Sequence, residues 1–134
     1  MLKKILAVLF LIIFVGCGHH HHSSDHGERA LTLNHSKKWK SDQHTMTSIK
    51  KMRKIVLKNK KMKNAILKEK LEQEISTLIR GCTMQGVDHD ALHVFLEKLL
   101  PEIENLANSD SHMADASRKE VMSLLEKYPE FFEL

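Results

Sequence analysis

Apolar residues recur along most of this chain at steps of three and four, and nowhere do they alternate as a half-buried strand requires. Ser41 or Asp42 offers an N-cap for a first helix running to about residue 59, with Met46, Ile49, Met52, Ile55 and Val56 along one face. A second helix, from about 62 to 80, carries Leu71, Ile75, Leu78 and Ile79 and brings Cys82 onto the same stripe. Gly81 and Gly86 bracket the turn that follows, where glycine lets the backbone reverse. Asp88 is the predicted N-cap of a third helix with the stripe Leu92, Phe95, Leu96, Leu99, Ile103 and Leu106; Pro101 is expected to kink it or end it near Leu100. After a break at 109–111, Met113, Val121, Leu124, Leu125 and Tyr128 define a fourth helix closed by Pro129, and Phe131 and Phe132 are apolar enough to pack back on it. Met46, Met52, Met62, Met113 and Met122 read as core filler. Residues 31–40 read as a short extended entry. The expected domain, residues 31–134, is therefore all-α, a small antiparallel bundle of about four helices.

The start of the chain follows different rules. Residues 1–16 combine Lys3 and Lys4 with an unbroken apolar run at 5–15, too short for a membrane span of roughly 20 residues and suited to a secretory leader. The run ends in Phe14-Val15-Gly16-Cys17, which looks like a bacterial lipobox. Residues 1–16 are thus expected to be a lipoprotein signal peptide and Cys17 the lipidated residue, holding the protein at the membrane of the bacterial cell envelope. It would face the periplasm, at the outer membrane in preference to the inner. Residues 17–30 form a polar tether without periodicity, expected to be disordered. Its His19, His20, His21, His22 and His26 can chelate borderline divalent ions, although a solvated linker or an engineered tag would look the same.

Charge adds a second asymmetry. The formal net charge is +4. Residues 37–63 hold eleven Lys or Arg and one acid, Asp42, whereas residues 64–134 hold seven basic and fourteen acidic residues. A basic first helix lying against acidic later ones explains this, and so does attraction to an anionic membrane surface. Nucleic acid does not suit an exported lipoprotein.

The densest chemistry lies in residues 82–93, where Cys82, Met84, His89 and His93 fall within twelve positions. Thiolate and thioether are soft ligands and imidazole is borderline, a set that suits copper and, less specifically, zinc. With Cys17 lipidated, Cys82 has no partner within the chain, so it is a metal ligand, a free thiol or a link to a second copy in a homodimer. His89 and His93 lie one helical turn apart and are expected to share the end of the bundle with Cys82. His44 and His35 are secondary candidates from neighbouring elements. Each residue also has a structural reading: a cysteine on an apolar face is commonly core, and a histidine near a helix start commonly bonds a neighbouring carbonyl.

Two segments resemble a group of short, uncharacterised bacterial exported proteins. Leu33, Asn34, Lys38 and Trp39 match an entry motif Leu-Asn-x-x-x-Lys-Trp. Cys82, Thr83, Met84, Gly86, His89, Asp90, Leu92, His93, Phe95 and Leu96 match Cys-Thr-Met-x-Gly-x-x-His-Asp-x-Leu-His-x-aromatic-Leu, with Phe95 where the group usually has tryptophan. The resemblance covers residues 31–134 and implies a shared helical fold and a shared site, but no activity. Enzyme signatures are missing: there is no Cys-x-x-Cys, no Gly-x-Ser-x-Gly and no phosphate loop. The expected function is metal binding by a membrane-anchored envelope lipoprotein, not catalysis, with a copper or zinc ion as cofactor. The alternatives are an envelope interaction module that meets a protein partner and uses the Cys-His cluster structurally, or a thiol-based sensor.

Overall fold

The first helix starts where its cap predicts. In a computed structural model, which describes residues 29–134, Asp42 is extended and its Oδ1 accepts from the Thr45 N–H at 2.6 Å, opening α1 (Gln43–Lys58). The signal peptide, Cys17 and His19, His20, His21, His22 and His26 lie outside the described residues. Met46, Ile49, Met52 and Val56 bury one face of α1, the i, i+3, i+4 pattern of a helix packed on one side. α2 (Asn64–Gly81) buries Leu67, Leu71, Ile75 and Leu78. Ile79, expected in the core, is 58% exposed, because it sits about 100° around the helix from Leu78.

α3 (Gly86–Asn105) begins two residues before the expected cap. Gln85 occupies the N-cap position and Asp88 lies in the first turn. The helix also runs through Pro101 instead of ending there. Leu96 and Leu99 before the proline, and Ile103 and Leu106 after it, remain on one buried stripe, while the proline itself is exposed. Burial on both sides thus outweighs one lost helical hydrogen bond. α4 (Ser111–Phe131) is capped by Asp110, which accepts from the His112 N–H at 2.9 Å, and it continues through Pro129 for the same reason: Leu125, Tyr128 and Phe132 stay buried around it. Met113 is 53% exposed and is not core.

The architecture is four helices with short connections and almost no strand. α1 packs on α2 and α4, and α3 on α4, while α2 and α3 meet over a shorter stretch. Two-residue strands β1 (Trp39–Lys40) and β2 (Phe132–Glu133) pair in parallel, Trp39 opposite Phe132, so the entry segment and the C-terminus are tied at one end. Tyr128 stacks on Phe132 with centroids 4.3 Å apart, and Phe95 meets Tyr128 edge-on at 4.9 Å. The entry is not simply extended. Asn34 and Lys37 exchange two backbone hydrogen bonds around His35 and Ser36, both at positive φ, which makes a tight two-residue turn. No helix among the described residues is long and apolar enough to cross a membrane.

Candidate functional site

Three chain segments converge where α2 turns into α3, and Asp42 holds them together. One carboxylate oxygen caps α1; the other accepts from both the N–H and the hydroxyl of Thr83, the latter at 2.8 Å. Asp88 makes the reciprocal tie, its Oδ1 accepting from the Lys40 N–H at 2.8 Å. Partial burial alone would push the Asp42 carboxyl up, but the hydrogen bonds from Thr45 and Thr83 outweigh it and hold the group at about 2. Thr83 and Asp88 therefore serve to fasten the turn to the entry segment and the start of α1.

Gly81 performs a different task from the one its position suggests. The His44 ring lies across it, with Nε2 donating to the Thr77 carbonyl at 2.9 Å. A methyl group on Gly81 would occupy the volume of that ring. Gly86, in contrast, does reverse the chain at φ +59°, a left-handed conformation in which glycine avoids the Cβ clash.

His89 and His93 meet edge to face with ring centroids 4.4 Å apart, His89 half-buried and His93 exposed. Cys82 is a free, half-buried cysteine that rests against the hydrophobic core, as Met84 does. Among the described residues no three His, Cys, Asp or Glu side chains are grouped as a metal ion would need, so Cys82 does not join the two imidazoles in such a set. His44 is engaged with α2, and His35 stands exposed in the entry turn. The structure thus brings two of the sequence-predicted ligands together and places the thiol and thioether in packing positions. Comparison with protein families, with curated proteins and with solved structures finds no match to this chain.

Sequence reasoning missed the second role of Asp42. Its capping role is local and legible, whereas Thr83 lies 41 residues away and only the closed bundle brings it close. The bond between Ser41 and Tyr128 has no local signal either: their hydroxyls meet at 2.9 Å inside the bundle, 87 positions apart. Burial pushes the Tyr128 phenol well up; the Ser41 hydrogen bond opposes this, while Asp42 and Cys82 reinforce it.

Proposed function

We propose that this chain is a non-enzymatic, membrane-tethered module of the bacterial envelope that binds a borderline transition-metal ion on His89 and His93, copper before zinc. The observation that supports this reading best is the imidazole pair, 4.4 Å between centroids and one helical turn apart. Two imidazoles from one rigid helix offer two nitrogens without loop ordering, and the exposure of His93 leaves further coordination positions to water. Nitrogen donors favour Cu(II) over the other divalent first-row ions. Cys82 and Met84 remain soft donors of the same turn, and His19, His20, His21, His22 and His26 a weaker store of ligands along the tether.

The test is copper titration of the chain lacking residues 19–26, with thermal unfolding followed in parallel. One-to-one binding that raises the melting temperature and disappears in the His89→Ala/His93→Ala variant is expected, since a ligand that prefers the folded state stabilises it. Unchanged affinity in that variant overturns the reading. Comparing Cys82→Ser and Met84→Leu tells whether the soft donors take part.

The Asp42–Thr83 and Lys40–Asp88 bonds favour a second reading, an envelope interaction module in which the same motif only ties segments together. On that reading Cys82→Ser lowers the melting temperature and copper leaves it unchanged. A thiol sensor, the third reading, requires fast alkylation of Cys82 in the folded protein at neutral pH.

A further inference from the structure

The opposite end of the bundle carries a surface of different chemistry. α1 closes at Lys58 and α2 opens at Asn64, and the turn between them exposes Lys58, Lys60, Lys61 and Lys63 around an apolar hollow. Leu57 and Ile66, exposed by 42% and 45%, and half-buried Met62 line that hollow. None of the four lysines forms an ion pair among the described residues. The acids beside the corner have other partners: Glu104 pairs with Lys68, Asp115 accepts from Asn64, and Glu74, which shares a hollow with Lys58, pairs with Lys51 at 3.8 Å.

The turn is also held in shape. Arg118 reaches across from α4 and donates to the carbonyls of Asn59 and Met62 and to Asn64 Oδ1, the last two at 2.8 and 3.0 Å. Asn59 Nδ2 donates back to the Ile55 carbonyl at 2.7 Å. Lysines and apolar side chains therefore sit on a fixed corner.

We propose that this corner docks on an anionic lipid bilayer, with Leu57 and Ile66 entering between headgroups and the lysines pairing with their phosphates. Apolar side chains ringed by lysine suit the boundary between headgroup and acyl chain: the apolar parts enter it while the ammonium groups stay in water among anions. An acidic protein would satisfy the lysines but leave the exposed apolar centre without a reason. The proposal does not rest on the metal reading. α1 spans about 24 Å, so the corner is about that far from the His89–His93 end, and docking would hold that end away from the membrane.

Brominated-lipid quenching tests this on the full chain. Native Trp39, at the end of the bundle away from the corner, serves as the internal control, and Leu57→Trp adds a reporter at an exposed position. On vesicles of phosphatidylcholine with about one-third phosphatidylglycerol, the emission added by Leu57→Trp is expected to be quenched and blue-shifted, while that of Trp39 is not. Pure phosphatidylcholine and high salt should both remove the effect. Lys60→Gln/Lys61→Gln/Lys63→Gln should weaken docking roughly a hundredfold, about fivefold per lysine. No quenching of the added reporter on anionic vesicles overturns the proposal, as does equal quenching on neutral ones. Equal quenching of both tryptophans likewise overturns it, because contact would then not be confined to the corner.

Discussion

Asp42 joins helix start, entry segment and α2–α3 turn through one carboxylate, so its protonation is a structural event. Its folded pKa of about 2 lies below the ordinary 3.8, which means the ionised form is the one the fold prefers. A group depressed in this way stabilises the protein above its unfolded pKa, and the contribution fades as pH falls from about 4 towards 2. Because the carboxylate is only partly buried, solvent screening leaves about 1 kcal/mol of this shift as stability. Asp42→Asn should accordingly lose about 1 kcal/mol in urea unfolding at pH 6, and the difference from the native chain should shrink as the titration is repeated down to pH 2. A difference independent of pH would mean that the carboxylate's charge is not what holds Thr83. Thr83→Ala, which removes the hydroxyl and keeps the N–H, should cost about 1 kcal/mol.

At the scale of an element, the last turn of α2 shows how much a helix boundary owes to its neighbours. Gly81 is helical, and alanine would ordinarily be preferred there by up to about 1 kcal/mol. The His44 ring reverses that preference by occupying the place of a Cβ. Gly81→Ala should therefore destabilise the protein by about 1–3 kcal/mol, as the ring is forced from the Thr77 carbonyl. In a His44→Ala background the same change should be neutral or stabilising. Thermal unfolding of the four variants measures this coupling, and simple additivity would sink the explanation. The case also marks how far local signals reach. The stripes of α1 and α3 and the Asp42 cap follow from periodicity and local hydrogen-bonding chemistry, and they are legible in the chain. The reason for Gly81 lies 37 positions away in His44, and the persistence of α3 through Pro101 depends on burial against other helices. Neither has a local signature. In the candidate site, likewise, the one-turn spacing of His89 and His93 announced their meeting, whereas whether Cys82 faces them or the core depended on how the turn closed.

At the scale of the whole molecule, the two ends of the described chain are fastened to each other, and the bundle should depend on that closure. Trp39 pairs with Phe132, the Ser41 N–H donates to the Glu133 carbonyl at 2.6 Å, and Lys38 Nζ donates to the Pro129 carbonyl at 2.6 Å. The energy of this closure is unevenly divided. Phe132 is 1% exposed and packs on both Tyr128 and Phe95, so Phe132→Ala should cost about 3–5 kcal/mol through lost burial and the cavity left behind. The Lys40–Glu133 ion pair, at 2.8 Å, is open to water, so Glu133→Ala should have little effect on stability. Because Phe132 closes the same end that holds the Tyr128–Ser41 bond and the Asp42 clamp, its loss should also alter Trp39 fluorescence before global unfolding. Tryptophan emission and far-ultraviolet circular dichroism, followed together through a urea titration, check this. Two separated transitions in Phe132→Ala and one in the native chain are expected. A single coincident transition in both would show that the closure is cooperative with the helices and not a separable latch.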